Sequence, residues 1–442
     1  MADDSAPTVR QRSKSKNGKD PQTEDNAPTE TATTPSRESP SLFADMNPKW
    51  KNWWIRGLFT FVMIASFLFI IYLGVKAMVV MIICIQVKCY HEVISVGHQH
   101  YKKYNLPWFR TLSWYFLGST NYFFYGEFAA DYFSNFGEIS TILLKNHRLI
   151  SFSLYTIGIM MFVLSLRKNY YKVQFALIGW YQLTLMIILF PSYLFIQNLL
   201  TGLIWFFLPV SMVICNDIFA YVFGFFFGKT QLIKLSPKKT WEGFLGGALA
   251  TALFGQVLCE IMSQNKYFFC PAQLNMTTYK FSMECSPSPT FQLQPFLTLH
   301  PAVQKGITAS PSLLVEALLS LLGVFGVHVI KGEVWMYPMI LHGIVLSFFS
   351  SLIAPFGGFF ASGFKRAFKI KDFSDTIPGH GGIMDRFDCQ ILMSMFVNVY
   401  INSVVRAYNP NKLMHQVMFL EPEQQVHFYN KLKDMLQGQG LI

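Results

Sequence analysis

SPKKTWEGFLGGALATALFGQVLCEIM, residues 236–262, starts with a serine, a proline and two lysines, then runs apolar to Met262 with Glu242 and Glu260 its only further charges. A membrane-crossing helix needs about 20 mainly apolar residues, so 241–262 reads as one. Ser236 reads as the N-cap and Pro237 as the first helical residue. Lys238 and Lys239 then sit at the positive end of the helix dipole, which repels them. A phosphate there, from a lipid head group or a nucleotide, would reverse that sign. The plainer account is a basic flank facing solvent and the membrane surface.

The composition around this stretch agrees with a membrane setting. Of 442 residues, 52% are hydrophobic and only 14% charged, which excludes an ordinary soluble domain. The expected fold class is all-α: a polytopic membrane helix bundle of about 8–9 transmembrane helices with a disordered N-terminal tail. The candidate spans are 57–87, either broken near Gly74 and Lys76 or one long tilted helix, and then 111–125, 148–165, 171–190, 192–214, 241–262, 338–360 and 389–405. Asn47–Arg56 mixes Trp with Lys and Arg, as interface anchors do.

Residues 1–46 are rich in Ser, Thr, Pro, Asp and Glu and cannot bury enough surface to offset chain entropy, so they read as a disordered cytosolic tail. Residues 47–442 form the membrane-embedded domain, with a lumenal loop at about 263–337. The net charge is +11, yet the tail holds six Lys or Arg against eight Asp or Glu, so the excess lies in loops beside the membrane. Such loops favour the cytosolic face and anionic ligands. Nucleic acid is not expected as a partner, because no soluble basic domain remains to hold it. Among seven cysteines, Cys270 and Cys285 share a polar, Pro-containing loop with the sequon at Asn275, which predicts a lumenal disulfide.

Candidate chemistry begins at VICNDIFAYVFGFFFGK, residues 213–229. Asp217 is a carboxylate in apolar sequence, expensive unless paired or metal-bound, whereas at a span end it would merely meet water. Ala220, Gly224 and Gly228 make a smooth stripe for close helix approach.

A second cluster is SGFKRAFKIKDFSDTIPGHGGIMDRFD, residues 362–388. Lys365 and Lys369 are four apart, on one face if helical, with Arg366 and Lys371 beside them. The glycines after Pro378 allow close backbone approach, and the following helix offers its N-terminus to an anion. Asp385 and Asp388 are three apart on that helix, so both carboxylates can face one cation. Oxygen ligands beside phosphate-binding lysines suit Mg²⁺. His380 reads equally as a turn residue or a phosphate contact.

The run Ser362, Lys365, Arg366, Lys371, Asp372, Pro378, His380, Gly381, Gly382, Asp385, Arg386, Asp388 resembles the signature of phosphatidate cytidylyltransferases, also called CDP-diacylglycerol synthases. Asp217, Ala220, Tyr221, Gly224, Gly228 and residues 236–243 resemble the other block shared by that family. The likeness covers about residues 50–440, and SPKKTWEG and APFGGFFASGFKR are similar to the eukaryotic endoplasmic-reticulum branch. One departure is Gly358, where bacterial members commonly carry an acid.

The resemblance implies an endoplasmic-reticulum membrane enzyme, multi-pass, with a cytosolic catalytic face. It would join CTP and phosphatidic acid, with Mg²⁺, into CDP-diacylglycerol and pyrophosphate for the phosphatidylinositol branch. Asp217 and Asp385 are the expected metal ligands. Lys238, Lys239, Lys365 and Arg366 are expected on phosphates, with Asp388 in support. Ser236, Ser362, Lys369, Lys371, His380, Gly381, Gly382 and Arg386 are further substrate-binding candidates. A homo-oligomer stays open, as do two rival readings: a CTP-dependent polyprenol kinase and an ion or anion transporter. If both basic motifs build one site, an even number of spans separates Thr240 from Ser362, and 311–330 does not cross.

Overall fold

The computed structural model describes residues 48–104, 108–133, 146–275, 280–298, 313–330, 333–377, 381–405, 414, 417 and 420–440. Residues 1–46, read as a tail, and Met276–Thr277 of the sequon lie outside them. Residues 52–442 form one unit. Its helices are α1 (Pro48–Leu73), α2 (Val75–Tyr101), α3 (Phe109–Phe133), α4 (His147–Leu164), α5 (Tyr171–Thr201), α6 (Ile204–Phe227), α7 (Trp241–Ser263), α8 (Lys266–Phe269), α9 (Leu313–Val324), α10 (Met339–Phe348), α11 (Pro355–Ala367), α12 (Met384–Tyr400) and α13 (Pro422–Gly438). Short antiparallel pairings lie in the connections: β1 (Gln231–Ile233) with β2 (Ser236–Thr240), β3 (Gln273–Asn275) with β4 (Lys280–Ser282), and β7 (Glu333–Met336) between β5 (Gln294–Thr298) and β6 (Val327–Ile330).

Among the described residues seven helices are long and apolar enough to cross a membrane: α2, α4, α5, α6, α7, the run Met339–Ala367 and the run Met384–Val405. The expected number is eight or nine, and the described residues supply seven of them. α3, expected as a span over 111–125, is a 25-residue helix outside that set. The helix continues through Pro355 because a π-turn at Phe349–Ile353 shifts the bonding register, Ala354 N donating to Phe349 O at 2.9 Å.

One break is misplaced by sequence. The expected division at 190/192 lies instead at Gly202, whose φ of +154° suits only glycine, while Pro191 stays inside α5, as membrane helices tolerate. Asp217 therefore lies well inside α6 rather than beyond a span. Gly74, at φ +89°, separates α1 from α2 where a break was one expected option.

The small-residue stripe packs as its spacing predicts. A Cβ on Gly243 would lie 2.6 Å from Ala220 O, and one on Gly247 3.1 Å from Ala220 N, so α6 and α7 meet nearly backbone to backbone. α12 is central, packing on α5, α6, α11 and α2. Between Thr240 and Ser362 the described residues hold two candidate spans, in keeping with one shared site. α9, with 12 residues, is about 18 Å long, short of the roughly 30 Å hydrocarbon core. The Cys270–Cys285 disulfide is present, with Cα atoms 5.6 Å apart.

Candidate active site

The first wall comes from the α6–α7 connection. Residues 236–240 are strand β2, not the start of a helix: Thr240 is the N-cap of α7, its hydroxyl accepting from Gly243 N at 3.2 Å. Ser236 and Pro237 therefore lose their expected capping roles, because pairing of β2 with β1 takes the backbone through this stretch. Glu242 closes the connection by accepting from Lys229 N (3.1 Å), Thr230 N (3.2 Å) and Thr230 Oγ1 (2.8 Å). Lys239 Nζ lies 4.4 Å from the centre of the Phe359 ring, a cation–π seat that links this wall to α11.

The second wall is the signature segment. α11 ends in a Schellman turn: Ile370 N donates to Lys365 O at 3.0 Å and Lys369 N to Arg366 O at 3.2 Å, with Lys369 left-handed at φ +55°. Lys369 is thus not on a helical face with Lys365, because the helix has already stopped at Ala367. Lys365 points inward and its Nζ donates to Asp385 Oδ1 at 2.5 Å. Asp385 Oδ2 accepts from Phe373 N (3.0 Å) and Gly382 N (3.1 Å). Both oxygens of Asp385 therefore bind the protein itself.

Glu92 is the residue that sequence reasoning missed. It is 3% exposed on α2 and accepts from Ser374 Oγ (2.6 Å), Thr376 Oγ1 (2.8 Å), Ile383 N (3.0 Å) and Met384 N (2.9 Å). The signal was available: an acid in apolar sequence, the argument that singled out Asp217. The expected span stopped at 87, which left Glu92 in a link.

Between the walls lie charges within electrostatic reach of one another. Asp217 feels Lys239, Asp388 and Arg386, and Asp388 feels Lys365 and Lys239. Asp388 is held where α11 and α12 touch: a Cβ on Gly357 would lie 2.3 Å from Asp388 O, and one on Gly358 3.5 Å from Asp388 Oδ2. The carboxylate that shares the surroundings of Asp217 is thus Asp388. Among the described residues no three possible metal ligands gather, so these two carboxylates on separate helices are oxygen donors of the kind Mg²⁺ takes only when phosphate oxygens complete its shell.

Asp217, Lys239, Lys365, Asp385, Arg386 and Asp388 are brought together. Arg366, Lys369 and Lys371 are exposed, and among the described residues no ion pair ties them to this group. The N–H of Gly381 donates to Ile377 O at 3.1 Å and that of Gly382 to Asp385, so the glycine turn turns its donors inward rather than toward an anion. A Cβ on Gly382 would lie 2.7 Å from Glu92 Oε2, which leaves room for glycine alone. The Ser362 hydroxyl donates to Gly358 O at 2.7 Å. His380 and the Lys238 side chain lie outside the described residues.

An apolar groove of about 480 Å³ adjoins this group. It runs from Trp180 to Pro191 along α5 and from Met384 to Met395 along α12, about 16 Å at 1.5 Å per residue. Among the described residues lining it, Asp388 alone is ionisable. Leu183, Met186, Phe356 and Phe360 are exposed at its rim, so it opens sideways.

The sequence profile of the cytidylyltransferase family matches residues 54–404. The chain is 51% identical over 418 residues to mouse phosphatidate cytidylyltransferase 2, covering 94% of this chain and 89% of that one. It is 52% identical over 400 residues to human phosphatidate cytidylyltransferase 1 (90% and 82% covered). The phosphatidate cytidylyltransferase of Caenorhabditis elegans is 47% identical over 407 residues (91% and 82%).

Proposed function

The chain belongs to the cytidylyltransferase family, and from that premise we propose that it transfers the cytidylyl group of CTP to phosphatidic acid, releasing pyrophosphate. It is a multi-pass membrane enzyme. In our reading it faces the cytosol from the endoplasmic reticulum membrane and supplies CDP-diacylglycerol to the phosphatidylinositol branch. The observation that carries the reading is a sideways-opening apolar groove whose lining includes Asp388, a carboxylate within electrostatic reach of Lys239 and Lys365. A soluble acceptor has no use for such a groove. The groove's apolar lining and length of about 16 Å suit an acyl chain.

A phosphate oxygen of phosphatidic acid attacks the α-phosphorus of CTP. The bond from that phosphorus to the oxygen bridging to the β-phosphate breaks, and pyrophosphate leaves with that oxygen. The acceptor is already an oxyanion, so no side chain need remove a proton; alignment and charge neutralisation suffice. Lys239 and Arg386 offer cationic donors beside Asp217, and the loss of one such contact costs on the order of 3 kcal/mol in the transition state. Asp217 and Asp388 would hold Mg²⁺, which when bound neutralises phosphate charge. Asp385 and Lys365 fix the wall that carries them.

CTP carrying separate labels tests the proposal. Cytidine label entering the lipid supports it. Label from the γ-phosphate in the lipid would make the protein a polyprenol-type kinase, and no label in the lipid would leave the transporter reading.

A further inference from the structure

We infer that Glu92 is a positioning residue for cytidylyl transfer, acting through residues 374–377 and 381–384 and so on Asp385 and Asp388; this rests on the function proposed above. Its carboxylate is 3% exposed inside a candidate membrane span, yet among the described residues no cation pairs with it. Four donors surround it instead: two hydroxyls from the loop and two backbone N–H groups at the start of α12. A carboxylate at a helix N-terminus is favourable to both, and four donors match its acceptor capacity.

Such an acid could serve stability alone, but its placement says more. The N-terminus of α12 is where an anionic substrate would otherwise bind, and Glu92 fills it. Nucleotide phosphates are thereby left to Lys239 and Arg386. Glu92 also meets the Asp385 environment at Gly382: a Cβ there would lie 2.7 Å from Glu92 Oε2, 3.0 Å from Asp385 Oδ2 and 3.0 Å from Ser374 N. The two carboxylates close on the same side of one glycine. The first turn of α12 carries Asp385, and Asp388 follows one turn later. Any shift of residues 382–384 therefore moves both, and a misplacement of about 1 Å can cost about 100-fold in rate. A carboxamide cannot substitute, because one of its two ends is a donor and would face donors.

The test uses the full-length chain in lipid nanodiscs, with CDP-diacylglycerol formation and amide hydrogen exchange as readouts. Glu92→Gln is expected to lower kcat by about 100-fold while KM for phosphatidic acid changes little, with faster exchange confined to residues 373–385. The Ser374→Ala, Thr376→Val double variant removes two of the four donors while keeping the carboxylate and both backbone donors, and covers the case that Glu92→Gln does not fold. It is expected to move kcat and exchange in the same direction and less far. Glu92→Ala is expected to regain part of its kcat with added formate, but not with chloride. Normal kcat with unchanged exchange in the double variant overturns the inference, as does a loss that appears equally in exchange throughout the chain. If the wild-type protein forms no CDP-diacylglycerol, the proposed function fails; locally faster exchange in the variants would then still support Glu92 as the clasp of this segment, and unchanged exchange would remove that too.

Discussion

Lys365 and Asp385 form an ion pair between the end of α11 and the first turn of α12, with Nζ 2.5 Å from Oδ1 and side chains only 15% and 7% exposed. Asp385 keeps two backbone donors, Phe373 N and Gly382 N, whichever side chain stands at 365, but either charge alone loses its buried counter-ion, which typically costs on the order of 3 kcal/mol. Lys365→Met and Asp385→Asn should each lower thermal stability clearly, and the double variant should lose less than the sum. Additive losses in a melting-temperature cycle would show the pair to be uncoupled.

Mg²⁺ dependence separates the carboxylates. Asp217→Asn and Asp388→Asn are expected to raise the Mg²⁺ concentration for half-maximal CDP-diacylglycerol formation, because those two would hold the cation. Asp385→Asn should lower the maximum while moving the Mg²⁺ midpoint much less. A larger midpoint shift for Asp385→Asn than for Asp388→Asn would restore Asp385 as the ligand.

Lys369 offers a test with two clear outcomes. It is exposed and left-handed, a conformation that costs a non-glycine residue about 1–2 kcal/mol. Lys369→Gly should raise the melting temperature with turnover unchanged. A marked rise in KM for CTP would instead assign this lysine to phosphate binding, as its sequence context suggested.

At the α6–α7 seam, Gly243→Ala places a Cβ 2.6 Å from the carbonyl of Ala220. Backbone on both sides leaves little room to yield, so overpacking should cost about 1–3 kcal/mol. Activity should fall too, since Asp217 and Lys239 flank this seam. Wild-type melting and turnover would mean the helices part easily.

Met395 lies at the groove end remote from the signature loop. Met395→Trp should lower kcat/KM for long-chain phosphatidic acid by about tenfold relative to a short-chain analogue. An unchanged ratio would remove the acyl chain from this groove.

What was legible in the sequence was whatever depends on neighbours along the chain. The apolar run 241–262 became α7 at Trp241–Ser263, and the spacing of Ala220, Gly224 and Gly228 became the seam against Gly243. Local signals also misled where two of them competed. Ser236-Pro237 and Thr240 are both good helix starts; the β1–β2 pairing selected the second, and that depends on residues 231–233 folding back. Glu92 was invisible for a different reason: its donors lie 282 to 292 positions away. No periodicity within α2 announces a partner at that distance. That Asp388 rather than Asp385 acts on Asp217 has the same origin, since helical spacing places both acids near one face while only packing decides which partner each meets.

The separation between Glu92 and its donors carries a consequence for synthesis of the chain. During translation α2 enters the membrane with its acid long before residues 374–384 leave the ribosome. For that interval the carboxylate must stay at the aqueous boundary, take up a proton, or be sheltered by an insertion factor, since an ionised acid in hydrocarbon is costly. A chain interrupted before residue 374 would keep that unshielded acid permanently. The hydrogen bonding of this acid is therefore complete only once the segment that carries its donors has been made.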